Sequence, residues 1–415
     1  MVDSDVLDDV FERFACNARI FRDREVLRHD YLPNKLPHRE EQIRLLGETV
    51  APSLRGSRSS NILIYGKTGT GKTAVTKYVL SRLEIKAKEF NAAVRFCHVN
   101  CRMAGSEYRV FASLCQNLGV EVPFTGLSVG EVFDRFRLSL EASGIIFIVA
   151  LDEVDALIKD RGDGLLYELT RMNETLHRSK VSIVGISNDF RLKDFLDPRV
   201  LSSLSEEEVV FRPYDAAELR NILLERSAQA FLGNVLSEGA VSLCAALAAA
   251  ENGDARRALD LLRVAGEVAE RRGATAVSED NVREAEKHIE HDRVVEALRN
   301  LTLHSKLVVL SVYHMGRANQ GGVITGEIQD VYCELCQEIG VPTLTQRRLG
   351  TLVNELDSMG LLNAKVVSMG RYGRTKKIRL DIPRSVIGDV FSDDNRLSRL
   401  VEYEPKCLLK TANRS

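Results

Sequence analysis

Several absences narrow the class of this protein. No apolar run approaches the length needed to span a bilayer, and the acidic start "MVDSDVLDDVFERF" lacks the basic-then-apolar order of a signal peptide. We therefore expect no membrane partner and a cytoplasmic location with reduced cysteines. Cys333 and Cys336 form a lone CxxC without the second pair that a zinc site needs. The formal net charge is only −2, so any nucleic-acid binding must depend on local basic patches.

The chain also lacks internal repeats and low-complexity segments. Its 415 residues are too many for one hydrophobic core and predict two or three domains. In the first half, apolar runs without alternation recur between helical stretches, which is typical of a parallel sheet covered on both faces. The five predicted strands are 61–65, 94–99, 145–151, 181–187 and 208–211. Residues 215–290 then carry helical patterns alone, beginning with a capping box at Asp215 and Glu218.

The segment "NILIYGKTGTGKTAV" has the spacing GxxxxGK[ST] between a predicted strand and a predicted helix. Glycines let backbone N–H groups curl around phosphate oxygens, and the helix N-terminus adds partial positive charge. We expect Lys72 to reach the β- and γ-phosphates of ATP and the Thr73 hydroxyl to ligate Mg²⁺. The expected nucleotide-binding residues of this loop are Gly66, Gly69, Thr70, Gly71, Lys72, Thr73 and Ala74.

Two carboxylates end the apolar strand in "IIFIVALDEVD". After a complete phosphate loop, Asp152 is expected to hold Mg²⁺, directly or through water, and Glu153 to polarise the attacking water as a general base. The alternative is that the two carboxylates are simply exposed to solvent at the end of the strand. Asn188 ends the next strand and could orient the water near the γ-phosphate, although an amide there is a weak signal by itself.

The stretch "TLTQRRLGTLVNELDSMGLL" (343–362) has the period of an amphipathic helix. Its predicted buried stripe is Leu349, Leu352, Val353, Leu356 and Met359. The opposite face carries Arg347, Thr351, Asn354 and Ser358 without an acid, with Gly350 beside it and Arg348 at its edge. A glycine in mid-helix costs about 1 kcal/mol relative to alanine, and close approach of a phosphate chain is one reason to tolerate it.

A helix, a turn and two strands around "GRYGRT" (370–375) surround this stretch in a winged-helix order. Residues 341–382 contain eight Lys or Arg and three Asp or Glu, a local charge of +5. Basic wings suit phosphate or minor-groove contacts, and the alternative is a winged helix used only for protein contacts. The predicted DNA-binding residues of helix and wing are Arg347, Arg348, Gly350, Thr351, Asn354, Arg371, Arg374 and Lys376.

The order and spacing of these motifs resemble those of the archaeal replication initiators, the AAA+ family shared by origin recognition complex subunit one and the related helicase loader. Its most specific parts are "LPHRE", "FRPYDAAEL" and "GDARRAL", and it covers nearly the whole chain. The resemblance implies an α/β P-loop AAA+ domain with a parallel five-stranded sheet, an all-helical lid and a C-terminal winged helix. The implied domains are a 1–30 extension, a 31–213 AAA+ base, a 214–300 lid, a 301–390 winged helix and a 391–415 tail.

The same resemblance implies further site residues. Leu36, Pro37 and Arg39 would approach the adenine, together with Tyr214 and Arg226 at the start of the lid. An insertion at about 104–138 would contact DNA through Thr125 and Ser128. Asn188 would be the first sensor. Helical geometry places Arg256 beside the buried face, where it could act as the second sensor, and points Arg257 toward solvent.

The resemblance also implies function and partners. The chain would mark origin DNA, bind ATP or ADP with Mg²⁺, and recruit or load the replicative MCM helicase, alone or with initiator paralogues, as a nucleoid-associated protein. Catalysis would involve Lys72, Asp152, Glu153, Asn188 and Arg256. Arg199 is a candidate arginine finger, but Ser203 stands where some relatives have arginine, which predicts slow hydrolysis. The alternatives are a winged-helix signalling or transposition-type regulator and a clamp-loader-like motor.

Overall fold

The computed structural model describes residues 20–204, 206–318, 323–368 and 374–405. The chain divides between Ala285 and Glu286 into two compact units, each of which is described by itself. None of the helices in the described ranges is both long and apolar enough to cross a membrane.

The first unit is built on a five-stranded sheet in the order β2-β3-β4-β1-β5, with every neighbouring pair parallel. Side chains of β3 alternate between two cores, with Phe147 and Val149 in one and Ile148 and Ala150 in the other. This burial on both faces explains why the strands are apolar without alternation, and the predicted sheet is confirmed. The strands are β1 (Ile62–Gly66), β2 (Val94–Asn100), β3 (Ile146–Asp152), β4 (Lys180–Ser187) and β5 (Glu207–Phe211).

Helices cover this sheet, and α2 begins directly at Lys72, so the loop after β1 leads into a helix N-terminus. The segment expected to be an insertion, about 104–138, contains α4 and most of α5, joined by a loop that ends at the N-cap Ser128. The helices around the sheet are α1 (Glu40–Val50), α2 (Lys72–Glu89), α3 (Cys101–Ala104), α4 (Glu107–Asn117), α5 (Val129–Ser143), α6 (Val154–Arg161), α7 (Gly164–Arg171) and α8 (Pro198–Leu204).

The lid follows β5 as helices α9 (Ala216–Ala230), α10 (Glu238–Glu251) and α11 (Ala255–Arg271). Asp215 and Glu218 form the predicted capping box at the start of α9. Asp254 caps α11, where its side chain accepts from the N–H groups of Arg256 and Arg257. The next helix, α12 (Glu279–Asn300), contains the division between the two units.

The N-terminal arm, residues 20–31, packs on the lid. The Arg22 N–H donates to the Ala230 carbonyl at 2.8 Å, and the Leu232 N–H donates to the Ile20 carbonyl at 3.0 Å. Phe21 stacks on Phe231 with ring centroids 4.9 Å apart. The arm therefore leads from the lid toward residues 31–39, beside the phosphate loop.

The second unit is a winged helix. Its elements are α13 (Leu303–Ala318), β6 (Val323–Ile324), α14 (Thr325–Glu338), α15 (Gln346–Ser358), β7 (Leu362–Ser368), β8 (Arg374–Leu380), α16 (Arg384–Ser392) and α17 (Ser398–Val401). The strands form an antiparallel sheet in the order β6-β8-β7. Buried Tyr332 of α14 accepts from the Leu344 N–H at 3.3 Å and hydrogen-bonds His304 at 2.8 Å, which fixes the turn that precedes α15.

Four of the five residues predicted to form the buried stripe of α15 are buried. The prediction is wrong at Met359, which is 59% exposed. The helix ends at Ser358, so Met359 lies beyond the last regular turn. The Leu361 N–H donates back to the Leu356 carbonyl at 3.0 Å, and buried Leu361 fills the core instead.

Two helical glycines of the first unit differ in the space around them. A Cβ at Gly266 would lie 2.4 Å from a ring atom of Phe21 and 3.0 Å from one of Phe231, whereas a Cβ at Gly47 would meet nothing within 4 Å. We expect Gly266→Ala to destabilise the protein by about 1–3 kcal/mol through overpacking, and Gly47→Ala to stabilise it by about 0.5–1 kcal/mol. Chemical denaturation of the full chain measures both, and equal stabilisation by both substitutions contradicts the described packing of the arm.

Candidate functional site

The loop between β1 and α2 wraps a cavity of about 370 Å³ that also reaches the lid. Gly69 and Gly71 have φ of 74° and 90°, which a side chain would strain. The Lys72 ammonium donates to the carbonyls of Gly66 and Lys67, both at 2.7 Å. Gly66 itself does not line the cavity, because it ends β1 behind the loop. Thr68 to Ala74 line it, as expected for a phosphate cradle.

Asp152 lies at the carboxyl end of β3 against the start of α2. The Thr73 hydroxyl donates to Asp152 Oδ2 at 2.7 Å, and the Glu153 N–H donates to Oδ1 at 3.0 Å. Burial alone would raise the pKa of Asp152, but the nearby His98 imidazole, 3.3 Å away, and the hydrogen bond from Thr73 outweigh it and hold that pKa below its ordinary value. A hydroxyl and an ionised carboxylate this close are the oxygen ligands that Mg²⁺ prefers.

Glu153 is held away from Asp152 by its own partners. Its backbone is left-handed, with φ of 51°. Asn100 Nδ2 donates to Oε1 at 3.2 Å, and Arg102 Nη1 lies 3.6 Å from Oε2. Asn188 also lines the cavity, and its N–H donates to Asp155 Oδ1 at 3.1 Å. The predicted residues Asp152, Glu153 and Asn188 are therefore brought to one wall.

Residues expected to contact the adenine also line the cavity. Leu36, Pro37, Tyr214 and Arg226 line it. Arg226 is 6% exposed, stacks over Tyr31 at 4.5 Å and donates to its carbonyl at 3.3 Å. Burial lowers the pKa of this guanidinium.

Arg39 differs from the expectation, since it does not line the cavity. It is 4% exposed and donates to the carbonyls of Thr70 at 2.9 Å and Arg212 at 2.7 Å. Its guanidinium stacks 3.7 Å from the Tyr214 ring centroid. Arg39 therefore ties the phosphate loop to the segment that leads into the lid.

The start of α11 rests on the phosphate loop. The Ala255 N–H donates to the Gly69 carbonyl at 3.1 Å, and a Cβ at Gly69 would collide with the Asp254 carboxylate. Arg256 lines the cavity, as predicted. The prediction that Arg257 is solvated is wrong, because its side chain is only 15% exposed and pairs with Glu251 at 3.2 Å. The end of α10 covers it, which the pattern of one helix does not reveal.

The sequence interpretation missed residues that the neighbouring strand and arm supply. His98 and Asn100 stand at alternate positions of β2, beside the end of β3, and Asn100 pairs with Asp152 in register. Tyr31 and Asp254 complete the contacts of Arg226 and Gly69. The polar residues of "HVN" at the end of β2 were a signal available in the sequence, since parallel strands end at the same edge of a sheet.

The second unit presents the predicted outward face of α15. Arg347, Arg348, Thr351 and Asn354 are exposed, and a Cβ at Gly350 would meet open space. Lys376 on β8 donates to Asn354 Oδ1, which joins the helix to the wing strands. Arg371 and the side chain of Arg374 lie outside the described residues, although β8 begins at position 374.

The insertion in the first unit places Thr125 and Ser128 at an exposed loop. The Ser128 hydroxyl accepts from the Glu131 N–H at 3.1 Å and so caps α5. Glu131 adds a carboxylate to this first turn, where it pairs with Arg135 at 3.0 Å. That acid opposes the attraction of a phosphate to the helix N-terminus.

Comparison with known proteins assigns these parts to a family. Residues 296–390 match the family model described as CDC6, C terminal winged helix domain, and residues 220–287 match the Cdc6 AAA+ ATPase-type lid domain. Residues 55–192 match an AAA domain. The matched segments cover most of the winged helix, most of the lid and the strands β1 to β4 of the sheet.

Whole-chain relatives agree with these matches. An ORC1-type DNA replication protein of Thermococcus onnurineus is 48% identical over 404 residues, covering 96% of this chain and 97% of the relative. ORC1-type DNA replication protein 1 of Sulfurisphaera tokodaii is 48% identical over 398 residues, covering 96% and 99%. The Aeropyrum pernix ORC1 protein, solved in complex with DNA, is 48% identical with a TM-score of 0.83 and covers 92% of this chain and 100% of its own.

The pKa of Lys72 in the phosphate loop predicts how nucleotide affinity depends on pH. Burial lowers the pKa of Lys72 from 10.5 to about 8, with Asp152 raising it and Arg256 lowering it further. A bound triphosphate favours the charged ammonium and raises this pKa, so nucleotide affinity is full below pH 8 and falls above it. Calorimetric titration in buffers of different ionisation enthalpy should detect proton uptake above the same pH. Arg256→Ala removes a positive charge that lowers the Lys72 pKa, so it should move the fall in nucleotide affinity to higher pH. A wild-type affinity that stays constant up to about pH 9 contradicts the lowered pKa of Lys72.

Proposed function

Because the chain belongs to the family of ORC1-type and Cdc6-type DNA replication proteins, we propose that it is an ATP-binding replication initiator that recognises origin DNA. It recruits or loads the replicative MCM helicase, with slow ATP hydrolysis as the switch and initiator paralogues as further partners. The observation that carries the proposal is one chain with both a phosphate cradle closed by a lid and an exposed recognition face on a winged helix. Family membership favours this function over the signalling, transposition and clamp-loader alternatives.

In the proposed nucleotide site, a bound Mg²⁺ would neutralise negative charge on the phosphates. The Thr73 hydroxyl and Asp152 carboxylate would hold it, and Lys72 and Arg256 would face the phosphates. The base would lie between Leu36, Pro37 and the lid. The nucleotide would thereby contact the arm, the sheet domain and the lid at once. ATP and ADP would therefore favour different positions of the lid.

Slow hydrolysis is supported by the contacts that Glu153 and Arg199 make with other side chains of the same chain. Glu153 is held by Asn100 and Arg102, so it would act on water only when these contacts are released, which would slow hydrolysis. Arg199 Nε donates to Asp197 Oδ1 at 3.1 Å and Nη2 donates to Oδ2 at 3.3 Å, so it is paired within its own chain. An arginine finger accounts for about 10³–10⁵ in rate, which the isolated protein would forgo.

We expect the isolated protein to retain nucleotide and turn it over slowly. Glu153→Gln should lower the single-turnover rate by about 10²–10⁴-fold because it removes the general base. Its nucleotide affinity should stay within a few-fold of wild type. Arg199→Ala is the matched control and should leave the rate of the isolated protein unchanged. Rapid multiple turnover by wild type contradicts the switch.

The recognition helix is proposed to lie in the major groove, with the wing on the backbone. Arg347 lies on the face opposite the buried stripe, where a guanidinium can contact base edges. Arg348 lies nearer the edge and would contact a phosphate. Asn354 and Lys376 are bonded to each other, so contact of Asn354 with a base requires Lys376 to turn toward the backbone.

Footprinting on DNA that flanks the protein's own gene tests these roles. Arg347→Ala should cost about 1–3 kcal/mol at the specific site and relax base preference. Arg348→Ala should weaken binding uniformly and lower the salt slope by about 1. Arg399→Ala, an exposed arginine on α17, is the control and should change neither. Loss of affinity without altered preference in both variants contradicts the assignment, and salt-sensitive binding indifferent to sequence points to the alternatives.

A further inference from the structure

His98 is not used by the site as proposed, although it stands against the central carboxylate. It lies on β2, and its Nε2 is 3.3 Å from Asp152 Oδ2, the oxygen that also accepts from Thr73. The His98 side chain is 16% exposed and that of Asp152 is 7% exposed. The Nε2 atom is fully buried and has no hydrogen-bond partner among the described residues, so the Asp152 carboxylate is the polar group that it approaches. A buried polar atom with one facing group is costly unless that group pairs with it.

The Asp152 carboxylate is therefore contacted from three directions. Thr73 approaches from the start of α2, the Glu153 N–H from the chain immediately after β3, and His98 from β2. The register of β2 against β3 fixes the third contact, since His98 pairs with Ala150 and the next β2 position on the same face, Asn100, pairs with Asp152 itself. Three contacts restrict rotation of the short Asp152 side chain more than the two local ones alone.

We propose that His98 is a positioning residue for magnesium, which acts by holding the Asp152 carboxylate in the orientation that receives the ion. The inference rests on the proposed function, in which Asp152 and Thr73 hold Mg²⁺ with bound nucleotide. Groups that orient a metal-binding carboxylate typically change metal affinity by about 10–100-fold when they are removed. His98 does not contact the phosphates in this role, so it should affect the metal without affecting nucleotide bound in the absence of metal.

The test measures binding of a fluorescent ATP analogue to the full-length protein as MgCl₂ is added, with and without chelator. We expect His98→Leu to raise the Mg²⁺ concentration at half-effect by about 10-fold or more and to leave affinity in chelator within about 2-fold. His98→Gln keeps an N–H donor at similar reach and should recover most of the loss. His177→Leu, an exposed histidine of the same unit, is the matched control and should behave as wild type.

The outcomes separate this inference from the function on which it rests. Wild type that binds nucleotide no better with Mg²⁺ overturns the proposed magnesium site itself. Wild type that responds to Mg²⁺, with His98→Leu giving the same midpoint, overturns only the positioning role. Equal loss in His98→Leu and His98→Gln, or loss in chelator as large as in Mg²⁺, shows that His98 acts through folding, which thermal denaturation of each variant would report independently.

Discussion

The hydrogen bond from the Ala255 N–H to the Gly69 carbonyl, 3.1 Å long, joins the lid to the phosphate loop. The rest of the site depends on it, because it sets where the start of α11 lies and therefore where Arg256 points. A second bond, from the Tyr214 N–H to the Gly253 carbonyl at 3.2 Å, fixes the other side of the same turn. Bonds between backbone groups need no particular side chain, but they need glycine at 69 and 253, where a Cβ would collide.

The arm constrains the lid from the other direction. Its first part stacks on the lid through Phe21 and Phe231, and Tyr31 contacts Arg226 of the lid. A few residues later, Arg39 bonds the phosphate loop. Chain segments 32–38 and 212–215 thus both join a lid-bound part to a sheet-bound part. Any movement of the lid must be absorbed there, next to the cavity in which we propose that nucleotide binds.

The two carboxylates at the end of β3 are also constrained by neighbouring elements. Asp152 and Glu153 are adjacent in sequence, yet they contact different partners, since β3 ends between them and Glu153 adopts a left-handed backbone. Asp152 faces Thr73 and His98, while Glu153 faces Asn100 and Arg102. The proposed metal ligand and the proposed general base need such separate environments, because one must stay ionised beside a cation and the other must accept a proton.

Sequence alone determined the five strands, the capping box of the lid, the phosphate loop and the buried stripe of α15 up to Leu356. Each of these rests on local rules, which are periodicity, capping and glycine spacing, so neighbouring residues carry the information. It failed at Met359, because helix termination depends on Gly360 and on the competing burial of Leu361.

Only the tertiary structure decided which side chains meet across elements. The covering of Arg257 by α10, the withdrawal of Arg39 behind the cavity and the placement of His98 against Asp152 all depend on residues distant in the chain. From the sequence of one element alone, a charged side chain is expected to be exposed to solvent. Burial of its charge is favourable only where another element supplies the matching group, and that element is known only from the tertiary structure. The sequence thus specified the elements and the kind of chemistry, whereas the contacts that orient that chemistry arise only when strands and helices pack.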